Sequence, residues 1–390
     1  MPLKLLHVVP TYLPAIRYGG PIYTVHGLCR ALAERGHEIQ VFTTNVDGPG
    51  ISEVPLDHAV ALDGVAVRYF PTGLGRRLYR SPAMGRALND SCNSFDLIHV
   101  HSVFLWPTLA GANTARKCKI PYIVTPRGML VPELISRKSR WIKSAWINLF
   151  ERQTLACAAA IHFTSDIEAD DMRRLGLACR NSAVIPNGLD LARADESPSP
   201  DDVAWAGSLP QPFVLYLGRI NWKKGLDRLI TAMRFVDGIT LVIAGNDEEN
   251  YQRKLLGLAN DQGVASKIQF TGHVSGTRKQ ALFKKARMLV LPSYSENFGM
   301  VVLEAMAAGC PVLVTPEVGL AETVKTSGAG LVVNGDPRNI AEVLTAIKID
   351  KLDRERMGQA GRSIATHQFS WANVAAQMER LYLECAGRNP

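Results

Sequence analysis

Short apolar runs alternate with longer amphipathic patterns along nearly the whole chain. The longer patterns predict helices over residues 23–35, 226–235, 251–261, 279–285, 301–308, 338–347 and 371–384. The apolar runs predict strands over 4–9, 38–43, 65–70, 97–101, 122–125, 160–163 and 183–185, and again over 213–217, 240–244, 268–271, 288–291, 311–314 and 330–333. This alternation predicts βα units, and therefore an α/β fold with parallel sheets.

One polar stretch, S-P-S-P-D-D over 197–202, interrupts the alternation and has the composition of a linker. A chain of 390 residues is also too long for one typical core. We therefore predict an N-terminal Rossmann-like domain and a C-terminal Rossmann-like domain joined by a short linker. The predicted segments are 1–196 for the first domain, 197–212 for the linker, 213–368 for the second domain and 369–390 for a final helix.

Composition adds limits on class and compartment. Hydrophobic residues make up 47% of the chain, which is enough for a buried core, and no apolar run approaches the ~20 residues of a membrane span. The first ten residues predict a strand rather than a signal peptide. The seven cysteines form no C-x-x-C pair. We therefore expect reduced, mostly packed thiols in a cytoplasmic protein and no metal site.

The net charge of +8 favours an anionic partner, which could be a phosphate compound, a nucleic acid or an anionic membrane. A mildly basic enzyme with no such partner is the alternative. The chain lacks a basic stripe interleaved with aromatic residues, so we expect no nucleic-acid partner.

The stretch 293–314, S-Y-S-E-N-F-G-M-V-V-L-E-A-M-A-A-G-C-P-V-L-V, holds two glutamates eight residues apart, Glu296 and Glu304. The pattern predicts a strand, a polar loop and a helix that begins near 297–299 and ends at Gly309. A helix start favours an anion, and carboxylates suit hydroxyl groups. Two solvated acids on an ordinary amphipathic helix are the alternative, although Glu304 lies inside an apolar run.

This stretch resembles the E-x7-E motif of retaining glycosyltransferases of the family 4 type, the glycosyl transferases group 1. The resemblance implies the GT-B fold, in which two Rossmann-like domains face each other across a cleft and the final helix crosses back to the first domain. It also implies a nucleotide-diphosphate-sugar donor, a catalytic role for Glu296, and donor binding by Asn297, Phe298, Gly299, Met300 and Glu304.

A second motif, L-G-R-I-N-W-K-K-G over 217–225, follows a predicted strand and resembles the family's G-R-x-x-x-x-K-G loop. Arg219 and Lys224 match the basic pair of that loop. Fixed cations stabilise the charge that a leaving nucleoside diphosphate gains as its bond to the sugar breaks. Two surface cations at a helix entry are the alternative, and Lys223 is the expected bystander.

Further donor-binding residues follow from weaker similarities. Asn246 lies in the loop where the family usually has G-x-G-P, and Val274 ends a loop that resembles the family's base-reading F-x-G-x-V segment. Gly19 and Gly20 resemble the family's G-G loop after the first strand, where the lack of Cβ atoms lets a backbone approach phosphate or sugar. A flexible turn is the alternative for this glycine pair.

His101 and Arg127 are the predicted catalytic-site residues of the first domain. His101 ends the H-V-H run of a strand, with a packed core histidine as the alternative. Arg127 lies in T-P-R-G, where family members often have T-x-H-G and that histidine contacts the donor sugar. Arginine cannot act as a base at neutral pH, so it could bind donor hydroxyls, phosphate or an anionic acceptor, or be structural.

The segment 136–150 is basic and carries Trp141 and Trp146, a composition typical of helices that lie on anionic membranes. An internal helix with solvated charges is the alternative. We therefore expect a cytoplasmic protein that is soluble or peripheral on the inner face of the membrane.

Together these features predict a retaining, metal-independent glycosyltransferase of the hexosyltransferase type. It would need no cofactor and would move a sugar from a UDP- or GDP-sugar to a hydroxyl. A glycan or lipid-linked acceptor in cell-surface polysaccharide synthesis is expected from family habit and from the basic segment. The alternatives are a GT-B-type nucleotide-sugar epimerase and a non-catalytic nucleotide-sugar-binding protein.

Overall fold

A computed structural model describes residues 2–388 except 16, 18, 138, 139, 195, 248, 249, 350 and 351. The chain divides into two compact units. The first contains the residues up to Gly188 and the chain from Trp371 onward, and the second is Leu189–Ser370. The division lies earlier in the sequence than the predicted linker.

The first unit is built on a sheet that is parallel except at one edge. Its strands, with the small hairpin β3–β4, are β1 (Lys4–Val8), β2 (Glu38–Thr44), β3 (Val46–Asp47), β4 (Gly50–Ile51), β5 (Val60–Leu62), β6 (Val65–Phe70), β7 (Leu97–His101), β8 (Tyr122–Thr125), β9 (Ala160–Phe163) and β10 (Ser182–Val184). The order in the sheet is β10-β9-β8-β7-β1-β2-β6-β5, and β5 runs antiparallel to β6. Buried side chains on both faces explain why these strands read as short continuous apolar runs.

The helices of the first unit precede and follow these strands. They are α1 (Gly20–Glu34), α2 (Pro82–Ser91), α3 (Trp106–Cys118), α4 (Pro132–Arg137), α5 (Arg140–Trp146), α6 (Arg152–Ala156), α7 (Asp166–Arg174) and, from the end of the chain, α17 (Trp371–Cys385). A π-helical turn, Ile147–Glu151, joins α5 to α6.

The second unit contains a fully parallel sheet. Its strands are β11 (Phe213–Leu217), β12 (Thr240–Ala244), β13 (Ile268–Gly272), β14 (Leu289–Leu291), β15 (Val312–Val314) and β16 (Gly330–Val332), in the order β13-β12-β11-β14-β15-β16. Its helices are α8 (Leu191–Ala194), α9 (Pro200–Ser208), α10 (Leu226–Ala232), α11 (Tyr251–Asp261), α12 (Gly276–Lys285), α13 (Met300–Ala307), α14 (Ala321–Ser327), α15 (Pro337–Lys348) and α16 (Arg354–Gln368).

The helix α17 packs on the first unit through its apolar face. The Trp371 ring lies against Gly27 and Gly188, where an added Cβ would come within 2.3 Å of ring carbons, so only glycine fits at either position. Farther along the helix, a Glu379 oxygen lies 3.0 Å from Nε2 of His37. The final helix therefore belongs to the core of the first unit.

The polar stretch that predicts a linker starts a helix instead. Ser199 caps α9 by accepting a hydrogen bond from the Asp202 N–H, Pro200 occupies the first turn, and Asp201 and Asp202 are acidic residues in that turn. A helix N-terminus and a linker favour the same residue types, which explains the difference.

The cysteine prediction is wrong for two residues. Cys92, just after α2, and Cys118, at the end of α3, form a disulfide with Cα atoms 6.6 Å apart. The pair is 26 residues apart in sequence, and only the packing of α2 against α3 brings the two sulfurs together. Among the described residues no helix is long and apolar enough to cross a membrane.

Candidate functional site

In the second unit, the predicted donor-site residues lie in loops at the carboxyl edge of the sheet. The strands β13, β12, β11 and β14 are neighbours and parallel, so their carboxyl ends meet at one edge. Gly245 packs so closely on the carbonyl of Gly218 that a Cβ would lie 1.8 Å from its oxygen. The Ile220 N–H donates to the Asn246 carbonyl over 2.8 Å. The loops after β11 and β12 are thus held as one surface.

The loop after β14 is joined to the loop after β11 in the same way. The Tyr294 N–H donates to the Lys223 carbonyl over 2.7 Å, and Gly225 contacts the Pro292 carbonyl. Lys224 Nζ forms a hydrogen-bonded ion pair with the Glu296 carboxylate, and both side chains are about four-fifths buried, at 17% and 18% exposed. The motif lysine and the first motif glutamate therefore meet.

The helix α13 begins where the sequence predicts. Gly299 is its N-cap, with φ at 95°, and a side chain there would be strained. Asn297 and Phe298 precede it, and the Phe298 carbonyl accepts from the Leu320 N–H over 3.1 Å, which fixes the loop to the segment after β15. Met300 is the first helical residue.

Glu304 lies on α13 between fully buried residues. Its Oε1 accepts a hydrogen bond from Lys279 Nζ of α12 over 2.8 Å. Sequence reasoning missed Lys279, because nothing in the spacing of two separate helices indicates which side chains meet. The structure thus gives each of the two motif glutamates a lysine partner.

The other donor-side residues are spread along the same edge. Arg219 and Asn246 are exposed, whereas Val274 is buried and anchors the end of its loop in the core. Asp247, beside Asn246, accepts from the Tyr251 and Gln252 N–H groups and so caps α11. Asp247 therefore serves the fold at a position where the family usually has proline.

In the first unit, the predicted residues follow β1, β7 and β8. Gly19, with φ at 69°, is the N-cap of α1, and Gly20 is its first residue. Arg127 follows β8, and its guanidinium donates to Asn187 Oδ1 over 2.9 Å, to Thr24 Oγ1 over 3.4 Å and to His101 Nδ1 over 3.2 Å. His101 and Arg127 therefore contact each other, and Asn187, in the loop after β10, also binds Arg127.

The backbone around these residues is strained. Ser102, Phe104 and Arg127 have positive φ values of 74°, 61° and 59°, which side-chain-bearing residues rarely adopt. Glu151 holds the first of these loops by accepting from the Phe104 N–H over 2.7 Å. Glu168 holds the second by accepting from the Gly128 N–H over 2.5 Å. Strain of this kind concentrates at functional sites.

Hydrogen bonds connect His101 to a buried histidine network in the sheet. His101 Nε2 lies 3.0 Å from His7 Nδ1 on the neighbouring strand β1. A second chain runs from Tyr382 Oη to His99 Nδ1 at 2.7 Å, from His99 Nε2 to Thr125 Oγ1 at 2.7 Å, and from Thr125 Oγ1 to His162 Nδ1 at 2.9 Å. His162 Nε2 lies 2.8 Å from the Ile185 carbonyl.

The ends of the two chains determine the tautomers. A guanidinium only donates, so His101 accepts at Nδ1 and donates from Nε2 to His7. A carbonyl only accepts, so His162 donates from Nε2 and accepts from the Thr125 hydroxyl at Nδ1. Thr125 then accepts from His99 Nε2, and the Tyr382 hydroxyl donates to His99 Nδ1. Every histidine is neutral in this arrangement.

Burial supports the neutral form. It lowers the pKa of His7 and of His162 to about 3, and it holds the pKa values of His99 and His101 well below their usual range, with further lowering by Arg127. Burial also lowers the pKa of Arg127 to about 10, so the guanidinium stays charged at neutral pH. The network therefore orients a fixed cation at the carboxyl edge of the first sheet.

His7, His99 and His101 lie close enough to hold a metal ion together. A neutral imidazole has one lone pair for a metal, and each of the three is already accepting a hydrogen bond, from His101, Tyr382 and Arg127 respectively. A cation would have to replace these bonds beside a buried guanidinium. The donor set therefore fits a hydrogen-bond network better than a metal site.

Two family models match the chain. The model described as glycosyl transferases group 1 matches residues 204–364, and the model described as glycosyl transferase 4-like domain matches residues 19–188. The D-inositol 3-phosphate glycosyltransferase of Xylanimonas cellulosilytica is 28% identical over an alignment that covers 95% of this chain and 93% of that protein.

Solved structures share the fold. Sucrose-phosphate synthase from Thermosynechococcus elongatus is similar with a TM-score of 0.75 and 22% identity, over 98% of both chains. Anabaena Alr3699/HepE, solved in complex with UDP and glucose, is similar with a TM-score of 0.74 and 18% identity, over 98% of this chain and 100% of that one.

Proposed function

The chain belongs to the glycosyl transferases group 1 and has the GT-B fold, and from this premise we propose that it is a retaining glycosyltransferase. It would move a sugar from a UDP- or GDP-sugar to a hydroxyl acceptor. The observation that carries the donor assignment is the ion pair of Lys224 with Glu296, which joins the loops after β11 and β14 at the carboxyl edge of the second sheet.

Each donor-side residue has a role that its chemistry suits. Arg219 and Lys224 would bind the diphosphate and stabilise the charge that it gains as the bond to the sugar breaks. In the free protein Lys224 is paired with Glu296, so binding of the donor would exchange this contact for phosphate and leave Glu296 to accept sugar hydroxyls. Glu304 would accept ribose hydroxyls, as carboxylates do well.

The proposed reaction needs no protein nucleophile. The acceptor oxygen would form a bond to the anomeric carbon on the face from which the diphosphate leaves, and the acceptor proton would pass to the leaving phosphate oxygen. The configuration is then retained. Arg127, oriented by Asn187 and His101, would bind a polar or anionic group of the substrate, since arginine cannot remove the proton at neutral pH.

A panel of labelled UDP-, GDP- and ADP-sugars, with and without glycan acceptors, tests this proposal. We expect one donor to release nucleoside diphosphate in an acceptor-dependent way. An epimerase would act on the donor alone and give a new sugar, and a binding protein would bind without turnover.

The variant Glu304→Gln tests the ribose role. It should weaken donor binding by about tenfold or more, because a charge-assisted hydrogen bond is worth about 1.5–3 kcal/mol. Isothermal calorimetry measures this, and Glu322→Gln, an exposed acid on α14, is the matched control. Unchanged affinity in a folded Glu304→Gln protein would exclude the ribose role.

We also propose that the acceptor is lipid-linked and that the segment 136–150 binds the anionic inner face of the membrane. Trp141, Ile142 and Leu149 are 84%, 71% and 70% exposed. The same segment has the exposed cations Arg137 and Arg140, and Arg140 lies over the Trp141 ring. Trp146, which sequence reasoning placed on the membrane face, is instead partly buried and donates to Glu151 over 2.9 Å. Lys138 and Ser139 of this segment lie outside the described residues.

Sedimentation with vesicles tests membrane binding. The wild type should bind vesicles rich in phosphatidylserine at low salt and be released as salt screens the charges. Trp141→Ser should weaken binding, whereas Trp146 lies inward and its fluorescence should not change on binding. A wild type that stays in the supernatant at low salt would favour a soluble acceptor.

A further inference from the structure

The Lys279–Glu304 contact joins two helices that the family motifs treat separately. Lys279 lies in the second turn of α12, and Glu304 lies on α13. The Nζ–Oε1 distance is 2.8 Å, and the two side chains are 22% and 25% exposed. Glu304 Oε2 has no hydrogen-bond partner among the described residues, so one oxygen of the carboxylate is held and the other is available.

We infer that Lys279 is a positioning residue for the nucleotide, which rests on the proposed function of Glu304. The neighbours of Glu304 on α13, Leu303 and Ala305, are fully buried, so the carboxylate sits at the margin of an apolar core. Among the described residues, the bond from Lys279 is the one that selects a rotamer for this carboxylate. By binding Oε1, Lys279 holds the side chain in one orientation and leaves Oε2 for a pair of ribose hydroxyls, which lowers the entropy lost on binding.

The position of Lys279 extends this role to the base. The helix α12 begins immediately after the loop that ends at Val274, and Val274 is buried in the core of the second unit. The ion pair therefore ties the helix that follows the proposed base-reading loop to the helix that carries the proposed ribose-binding carboxylate. Lys224 holds Glu296 in the same way in the free protein, but that pair would open when the diphosphate binds, whereas the Lys279–Glu304 pair would be kept.

Calorimetry on the full chain tests the inference, with UDP and GDP as probes. Lys279→Met should weaken binding of the preferred diphosphate by roughly fivefold, while kcat at saturating donor stays within twofold. Lys279→Arg should restore most of the affinity. Lys285→Met, an exposed lysine on the same helix, is the matched control and should bind as the wild type does.

A ribose-specific readout separates positioning from a general effect on the fold. The penalty of Lys279→Met should shrink when the 2′-deoxy diphosphate replaces the ribonucleotide, and it should largely vanish in the Glu304→Gln background. If Lys279→Met does not fold, Lys279→Gln, which keeps a polar head, replaces it in the same measurements.

The possible failures are distinguishable. A wild type that binds neither diphosphate nor any sugar donor would overturn the proposed function and the inference with it. If the wild type binds and Glu304→Gln weakens binding, but Lys279→Met binds as well as the wild type or more tightly, the proposed function survives and the inference fails. A tighter complex would mean that Lys279 competes with the nucleotide for Glu304.

Discussion

The two units place their polar side chains in different parts of the fold. In the first, four buried histidines of the sheet are connected by hydrogen bonds: His7 directly to His101, and His99 to His162 through Thr125. In the second, the buried side chains of the sheet are apolar, and the candidate site has two lysine–glutamate pairs, one in loops at the strand ends and one between α12 and α13. Both units have parallel sheets, so the difference does not come from topology.

This difference indicates two ways of preparing a site for a ligand. In the second unit both lysine–glutamate pairs are partly exposed, so a ligand can reach their charged groups. In the first unit the Arg127 guanidinium is held by three side chains. One of these, His101, is hydrogen-bonded to His7 in the core of the sheet. Substitutions in the core of the first unit should therefore change the orientation of Arg127. Substitutions in the core of the second unit should leave the ion pairs of that unit intact.

Acidification should give the largest effect and should separate the units. The four buried histidines have pKa values well below 6.5, so the unfolded state binds protons that the folded state does not. Stability therefore falls as pH drops below about 6.5, by about 1 kcal/mol for each histidine over the first unit of pH. Asp171, whose pKa burial raises to about 6, and Glu151, whose pKa burial also raises, act in the opposite direction but are two groups against four.

Hydrogen exchange of the full chain at pH 7.5 and 5.5 measures this effect. After correction for intrinsic rates, peptides from β1 and β7 should lose about 5 kcal/mol of protection, and peptides from β11 and β12 should lose little. His58→Gln, at an exposed histidine, is the control. Equal losses in both units would contradict the assignment of a neutral histidine network.

The ion pairs of the second unit should matter for turnover rather than for folding. Arg219→Ala and Lys224→Ala should each lower kcat by ~10²-fold, because each would remove a cation from the leaving diphosphate. The midpoint of thermal unfolding should change little, since Arg219 is exposed and both members of the Lys224–Glu296 pair are partly exposed. Lys223→Ala is the matched control. Near-normal kcat in either variant would remove that residue from the diphosphate site.

A matched pair of tyrosine substitutions compares the two units directly. Tyr382→Phe removes the donor to His99 Nδ1 inside the first unit, and leaving that buried nitrogen unsatisfied should cost about 1–3 kcal/mol of unfolding free energy. Tyr294→Phe removes an exposed hydroxyl bond to Asp227 in the second unit and should cost less than about 0.5 kcal/mol. Urea unfolding measures both, and similar costs would contradict the comparison.

Sequence patterns predict the strands well because both sheets are buried on two faces. The strands β6, β7, β8, β9, β11 and β12 have the predicted bounds, and the other predicted strands differ by one residue at one or both ends. The pattern missed β5, an edge strand over Val60–Leu62 that is only partly buried and therefore carries no strong apolar signal. It also missed α9, where a helix cap has the composition of a linker.

The partners of site residues are less accessible to sequence reasoning. Glu304 is identified by a motif within one loop and helix, but Lys279 is 25 residues away on another helix. His7 and His101 are 94 residues apart and meet only because β1 and β7 are neighbours in the sheet. The disulfide between Cys92 and Cys118 likewise depends on how two helices pack. Contacts of this kind follow from tertiary structure.

The smallest expected effect is that of a chelator, and it tests whether the histidine network binds metal. The lone pairs of His7, His99 and His101 accept hydrogen bonds, and a guanidinium lies beside them. Binding a divalent cation would break these hydrogen bonds and place two positive charges close together, so it is unfavourable. Arg219 and Lys224 would also provide the charge that a metal gives in other transferases. We therefore expect EDTA to change the initial rate by less than twofold, in a coupled assay that does not itself need metal.

Loss of activity that Mg²⁺ or Mn²⁺ restores would show that a cation takes part. If the folded His7→Gln variant did not regain activity with Mg²⁺ or Mn²⁺, the cation would be assigned to the histidines. The first unit would then differ from the second by holding a metal ion.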